Sequence, residues 1–150
     1  CIIVAPQCYA DSWFDIFGEV VDFCNYIYER DFVDKDRFYG SGISMGGYCL
    51  YQLLMTCRKL FAGAIVCCGA GMYWNAGRIS HIPLYVFHGL RDEVVYPDEA
   101  VHMCDKLRSV GADVTLTLYP DCDHDCWTKA YAEPWLFCEL LSKKRVPIFD

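Results

Sequence analysis

The sequence has little positive charge and no long apolar run. Its 13 Lys and Arg residues are outnumbered by 20 Asp and Glu residues, which gives a net charge of −7. Nucleic acids and anionic membrane surfaces attract clustered Lys and Arg, so this balance argues against both kinds of partner. No apolar stretch approaches the roughly 20 residues that cross a bilayer, which excludes a membrane-spanning helix.

The cysteines lack the pattern of a disulfide scaffold or of a redox motif. Their number, eleven, is odd, no C-x-x-C occurs, and most of them stand inside apolar runs. A free cysteine behaves as a small core hydrophobe, whereas disulfide scaffolds place cysteines in the loops of short, core-poor chains. The pattern therefore predicts free thiols and a reducing, cytoplasmic compartment.

The chain opens with neither an initiator Met nor the charged start of a signal peptide. Its first five residues are an apolar run, which indicates a fragment that begins inside a strand and carries no information on targeting. No repeat, low-complexity stretch or linker divides the 150 residues, and this length suits one domain with a real core. We expect residues 1–150 to form a single domain, the C-terminal portion of a larger one.

Apolar runs closed by Pro or Gly alternate with segments of helical periodicity. Such runs are typical of parallel strands buried on both faces, and their alternation with helices specifies an α/β fold. We predict a mostly parallel sheet with helices on both faces, with ligand chemistry at the carboxyl ends of its strands. The predicted strands cover residues 1–5, 37–41, 63–68, 84–88 and 114–119, and the predicted helices cover 15–30, 45–57, 98–110 and 129–142.

The segment 42–47, G-I-S-M-G-G, lies between a predicted strand and a predicted helix. In that context G-x-S-x-G is the pattern of a nucleophile elbow, and the alternative is a glycine-rich turn with an incidental serine. An elbow requires Ser44 to adopt a strained turn with positive φ, and side chains at positions 42 and 46 would collide with the neighbouring strand and helix. The helix that follows directs free N–H groups at the site, so the Met45 N–H is the expected oxyanion donor.

A serine hydroxyl needs a base at neutral pH, and the chain has four histidines. His102 lies within a predicted helix, and His81 precedes a strand on the opposite edge from the serine. His88 ends a strand, where a structural role is expected. His124 lies in the loop after the last predicted strand, from which an imidazole can reach the elbow, so His124 is the predicted base.

The base in turn needs a carboxylate that holds its tautomer. Asp92 follows the fourth predicted strand and is better placed than Glu93, which would point the other way. The acidic residues that flank His124 are too close in sequence to line up easily behind its ring, and a solvated loop is expected there: Asp121, Asp123 and Asp125. The chain order Ser, Asp, His is that of α/β-hydrolases rather than that of chymotrypsin or subtilisin.

With these residues in place, the sequence resembles the α/β-hydrolase superfamily, in its serine esterase and prolyl-oligopeptidase-like branch that includes phospholipase/carboxylesterases and dienelactone-hydrolase-like proteins. The stretches that carry the resemblance are 5–8, 42–48, 87–92 and 119–127. The resemblance implies Ser44 as nucleophile, Asp92 as acid and His124 as base. Two departures are that Asp123 stands where the family usually has glycine, and that the early strands and their His-Gly loop, which supplies a second oxyanion donor, are absent.

The function we expect is cleavage of a small-molecule carboxylic ester through an acyl-enzyme, with no cofactor and no metal. Trp74, Trp127 and Tyr9 are candidate walls of the substrate pocket, because aromatic side chains at strand-end loops can stack on sugars or acyl groups; core or rim packing is the alternative for each.

Three alternatives remain beside this hypothesis. The same residues could serve a peptidase of the prolyl-oligopeptidase type. A truncated, non-catalytic chain could instead associate with itself or bind a partner through an exposed sheet edge. Finally, Cys122, His124 and Cys126 could converge on zinc, although a structural zinc site needs a fourth ligand.

Overall fold

The computed structural model describes residues 1–148. Its helices are α1 (Phe17–Tyr28), α2 (Met45–Thr56), α3 (Asp98–Ser109), α4 (Trp127–Tyr131) and α5 (Leu136–Ser142). Its strands are β1 (Tyr39–Ile43), β2 (Gly63–Cys67), β3 (Leu84–Gly89) and β4 (Val114–Tyr119). A 3-10 helix covers Tyr73–Ile79, between β2 and β3.

The four strands form one sheet in the order β1-β2-β3-β4, and every neighbouring pair is parallel. All four carboxyl ends therefore lie at the same edge of the sheet. The residues that follow the strands at this edge include Ser44 after β1, Cys68 after β2, Asp92 after β3 and His124 after β4. The predicted α/β class with a parallel sheet is confirmed.

Helices cover both faces of the sheet, as predicted. Successive side chains of a strand point to opposite faces, and in β2 Val66 packs into one apolar core while Ile65 packs into the other. The first core contains residues of α2, α3 and the 3-10 helix, and α1 adds Val20 to it. The second contains Leu136 and Leu140 of α5 together with Ala130 of α4. Burial on both faces explains why β2 and β3 are continuous apolar runs in the sequence.

The strand predicted for residues 1–5 does not form. That segment has no regular secondary structure, and Ile2 and Ile3 are 66% and 86% exposed. An apolar run signals burial, but a strand exists only where a neighbouring backbone satisfies its N–H and C=O groups. Among the described residues no strand pairs with this segment.

The single helix predicted for residues 129–142 is two helices, α4 and α5. Pro134 lies between them. Its ring excludes it from a helix interior, because it lacks an N–H and clashes with the preceding turn. Pro134 stands two residues before α5, which begins at Leu136.

The eleven cysteines are free thiols, as predicted, and six of them are buried. Cys138 departs from the pattern, since it lies in an apolar run of the sequence but is exposed. Within residues 1–148, no helix has both the length and the apolar character that crossing a bilayer requires.

Candidate active site

Ser44 occupies the turn between β1 and α2 with φ 52° and ψ −120°, a left-handed conformation that non-glycine residues rarely adopt. Its N–H donates to the carbonyl of Cys67 on β2 at 2.9 Å, and its carbonyl accepts from the amide of Tyr48 in α2 at 3.1 Å. These bonds hold the strained turn between strand and helix. The positive φ predicted for an elbow serine is present.

Close backbone approach explains one of the two glycines expected to be essential. A Cβ on Gly42 would lie 2.3 Å from the carbonyl oxygen of Gly46, so no other residue fits there. Gly46 itself has open space, which corrects the expectation of a collision at that position. The tight contact belongs to the next residue: a Cβ on Gly47 would lie 3.0 Å from the Cα of Gly69.

His124 lies in the loop between β4 and α4, and its ring reaches the elbow. Its Nε2 is 2.8 Å from Ser44 Oγ. The loop is held against the end of β3, where the Arg91 N–H donates to the carbonyl of Cys122 at 2.9 Å. The His124 side chain is 23% exposed, so it is partly accessible from solvent.

Asp92 stands behind His124 and is almost completely buried, with 2% of its surface exposed. Its Oδ2 lies 2.8 Å from His124 Nδ1, and its Oδ1 accepts the backbone N–H groups of Val94 and Val95, both at 2.9 Å. Burial raises the pKa of Asp92, but the hydrogen bonds from His124 and the two amides outweigh it, so this pKa lies below its ordinary value. A buried, ionised carboxylate therefore faces the imidazole.

The partners of His124 assign its tautomer. An ionised carboxylate only accepts hydrogen bonds, so Nδ1 carries the proton and donates it to Asp92. Nε2 then presents a lone pair to the hydroxyl of Ser44. The structure thus brings the three predicted site residues into one hydrogen-bonded chain whose polarity allows the serine proton to move to the imidazole.

A structural role is predicted for His88 from the sequence, and the structure places this residue beside Asp92. His88 is fully buried at the end of β3. Its Nε2 lies 2.8 Å from the Val95 carbonyl oxygen and 3.2 Å from Asp92 Oδ2. The sequence feature that indicates this contact is the spacing of four residues between His88, at the end of a predicted strand, and Asp92, the predicted acid.

Cys68 also borders the site. Its sulfur and one donor atom each of Asp92 and His124 lie within 4.8 Å of one another, and its φ of 42° is the second positive value at a non-glycine residue. A hydrogen bond with Cys126, together with burial, holds the pKa of Cys68 well above its ordinary value, so the thiol stays protonated. Ser44, not Cys68, is the group hydrogen-bonded to the imidazole.

The zinc alternative of Cys122, His124 and Cys126 does not fit the described residues. The group of metal-ligating atoms that comes together in residues 1–148 is that of Cys68, Asp92 and His124. The Cys126 thiol instead points at the carbonyl of Phe87, 3.5 Å away. The loop turns back on itself between His124 and Cys126, where the Cys126 N–H donates to the His124 carbonyl at 2.9 Å. Because of this turn, side chains two residues apart in the loop do not converge.

Met45 is the first residue of α2, so its N–H has no carbonyl partner one turn earlier in the helix and, among residues 1–148, remains available to a ligand. Of the three candidate pocket residues, Trp127 lies edge-on to His124, with 5.7 Å between ring centroids. The ring contact of Trp74 is with Tyr73, and Trp74 is 64% exposed. Tyr9 is exposed in the N-terminal segment. The roles of these four residues stay predictions.

Comparison with solved structures finds the same fold in hydrolases. The chain resembles a thermostable esterase with a TM-score of 0.79 and 29% identity over 85% of this chain and 36% of that one. It resembles the acylaminoacyl peptidase of Pyrococcus horikoshii with a TM-score of 0.67 and 18% identity over 91% and 28% of the two chains. For esterase PE8 the TM-score is 0.70 and the identity 17%, over 85% and 61%.

The chain spans less than two thirds of the length of each of these three proteins. No curated protein matches the sequence. The dienelactone hydrolase family, in contrast, matches residues 14–133, a range that begins before α1 and includes the elbow, Asp92 and His124. The α/β-hydrolase fold expected from the sequence is therefore shown, and the chain belongs to the dienelactone hydrolase family.

Proposed function

We propose that the protein is a serine hydrolase that cleaves a carboxylic ester through an acyl-enzyme. The observation that carries this proposal is the chain of two 2.8 Å contacts from Ser44 Oγ through His124 to Asp92. A hydroxyl is a weak nucleophile at neutral pH, and a hydrogen-bonded base oriented by a third group is the usual way to activate one.

In the first half-reaction, Ser44 Oγ attacks the ester carbonyl carbon while its proton passes to His124 Nε2. The carbonyl π electrons move to oxygen, and the Met45 N–H donates to this oxyanion. Removal of one such donor costs roughly 10²–10³ in turnover in other hydrolases. When the tetrahedral intermediate collapses, the bond to the alcohol oxygen breaks, and His124 Nε2 returns its proton to that oxygen. The acyl group then remains on Ser44.

In the second half-reaction, water takes the place of the serine. His124 Nε2 accepts a proton from the water as its oxygen attacks the acyl carbon. Collapse of the second intermediate breaks the bond to Ser44 Oγ, which recovers the proton, and the carboxylic acid leaves. The ionised carboxylate of Asp92 stabilises the imidazolium in both half-reactions, and burial away from water strengthens that interaction.

Trp127 is the aromatic wall that we assign to the substrate side of the imidazole. Its ring stands edge-on to His124, and its indole is partly exposed. An apolar surface at this position suits the acyl or alcohol part of an ester, which has no charge to desolvate.

The proposal is tested by turnover of p-nitrophenyl esters by the purified protein, with the matching p-nitroanilides of acylated amino acids as the peptidase comparison. We expect ester cleavage that falls by about 10³-fold or more in Ser44→Ala, as for other nucleophile deletions. Cys68→Ala is the matched control, because it removes the neighbouring nucleophile, and we expect it to retain the activity. Activity that survives Ser44→Ala would contradict the proposal, and preferential cleavage of the anilides would reassign the protein as a peptidase.

A further inference from the structure

His88 is a buried histidine that the proposed mechanism does not use. No part of its surface is exposed, although histidine is a polar side chain that needs partners when it is buried. Both neighbours of its Nε2 belong to the turn that carries the acid: the Val95 carbonyl at 2.8 Å and Asp92 Oδ2 at 3.2 Å.

These neighbours assign the tautomer of His88. A carbonyl oxygen and an ionised carboxylate only accept hydrogen bonds, so Nε2 carries the proton. Nδ1 has no partner among the described residues and is buried, so a second ring proton there would be a donor with nothing to bond. His88 therefore presents its Nε2–H to the turn that carries Asp92.

The single N–H of His88 stabilises the acid from two sides. By donating to the Val95 carbonyl it fixes the peptide next to the Val95 N–H, which itself donates to Asp92 Oδ1. At the same time the positive end of the N–H dipole lies near Oδ2, the oxygen that receives the proton of His124 Nδ1. Oδ1 of Asp92 is thus held by the two amides of the turn, and Oδ2 lies beside the N–H of His88.

We propose that His88 is a positioning residue of the reaction: its Nε2–H fixes the rotation of the Asp92 carboxylate and so holds the acid in line with His124. This inference rests on the proposed function for its effect on turnover, but not for its effect on the contact between Asp92 and His124. Without the donor, the Val95 carbonyl is left unpaired in the interior and the 92–95 turn can relax away from the imidazole.

The test compares two substitutions of similar size, His88→Gln and His88→Met. The amide nitrogen of glutamine lies the same number of bonds from Cβ as Nε2 of histidine, so it can replace the donor, whereas methionine is unbranched, fills irregular core space and has no N–H. Turnover is divided by the number of active sites titrated with a fluorophosphonate, which removes any unfolded fraction from the comparison. Thermal unfolding of each variant is recorded separately.

We expect kcat per titrated site to fall by about 10–100-fold in His88→Met with KM changed less than about twofold, because orientation of the acid acts on the chemical step. His88→Gln is expected to recover most of kcat. An unchanged kcat in a His88→Met protein that melts at a lower temperature would overturn the inference and leave His88 as a packing residue only.

A second readout does not depend on turnover. We expect the proton that His124 Nδ1 donates to Asp92 to give a low-field resonance in the NMR spectrum of the unsubstituted protein. We expect His88→Met to lose or broaden this resonance and His88→Gln to keep it. If the unsubstituted protein cleaves no ester but this pattern is seen, the proposed function fails and the positioning role of His88 stands. If the resonance is the same in all three proteins, the positioning role fails.

Discussion

Gly89 at the end of β3 lies directly against the carbonyl of Asp123, the residue before His124. A Cβ at position 89 would stand 2.1 Å from that carbonyl oxygen, well inside the distance at which real Cβ contacts occur. The backbone that leads to Asp92 and the backbone that carries His124 are therefore in contact. Their approach fixes how His124 and Asp92 meet.

This contact makes Gly89→Ala a specific perturbation of the site. The added methyl group must displace the His124 loop, since the atoms it meets are backbone atoms that cannot rotate away. We expect a loss of about 1–3 kcal/mol of stability from overpacking and a fall in kcat of about 10²-fold, because a displacement of the order of 1 Å is that costly in an oriented site. Ester turnover and urea unfolding measure the two effects.

Gly77→Ala is the matched control, because Gly77 lies in the 3-10 helix with open space at its Cβ position. It should leave kcat unchanged. If Gly89→Ala behaved like Gly77→Ala, the close approach of Gly89 to Asp123 would not be what positions His124.

The lowered pKa of Asp92 predicts an acid-dependent contribution to stability. The folded-state pKa lies below that of the unfolded chain, so ionised Asp92 stabilises the fold at pH values above about 3.9, the usual aspartate value. That stabilisation is lost as the pH falls through the folded-state pKa. The difference in free energy of unfolding between the unsubstituted protein and Asp92→Asn should be largest near neutral pH and shrink in acid.

Urea unfolding at a series of pH values measures that difference. Asp11→Asn, a substitution of an exposed aspartate in the N-terminal segment, is the control for removal of one surface charge. A difference between Asp92→Asn and the unsubstituted protein that stayed constant into the acid range would contradict a lowered pKa at Asp92.

The two predicted pocket tryptophans offer a comparison of specificity. Trp127 contacts the ring of His124, whereas the ring partner of Trp74 is Tyr73. We expect Trp127→Ala to raise KM for esters by about 5–10-fold, corresponding to loss of part of an aromatic contact of about 0.5–1.5 kcal/mol, and Trp74→Ala to leave KM within about twofold. Steady-state kinetics with esters of different acyl chain length measure KM for both variants. An equal rise in KM in the two variants would place Trp74 in the substrate pocket as well.

Most of the elements that position the site can be predicted from the sequence, because buried strands are apolar runs and a strained turn is flanked by glycines. The buried strands β2 and β3 are continuous apolar runs, and their predicted bounds lie within one residue of the observed ones. The elbow at Ser44 was identified by glycine spacing, and its φ of 52° has the predicted sign. His124 and Asp92 were placed by their positions after strands.

The predictions that the structure corrects concern features that depend on contacts with residues distant in the sequence. Residues 1–5 have the composition of a buried strand, but no strand within the described part of the chain lies beside them. The importance of Gly47 depends on the approach of Gly69 from another loop, which glycine spacing alone cannot show.

The most direct test of the proposed mechanism is labelling of the purified protein with a fluorophosphonate, followed by mass mapping of the adduct. We expect one adduct, on Ser44, that His124→Ala abolishes because the hydroxyl then has no base. Circular dichroism of each sample establishes that the protein is folded. A folded protein that forms no adduct, or an adduct at Ser44 that persists in His124→Ala, would contradict the claim that Ser44 is activated by His124.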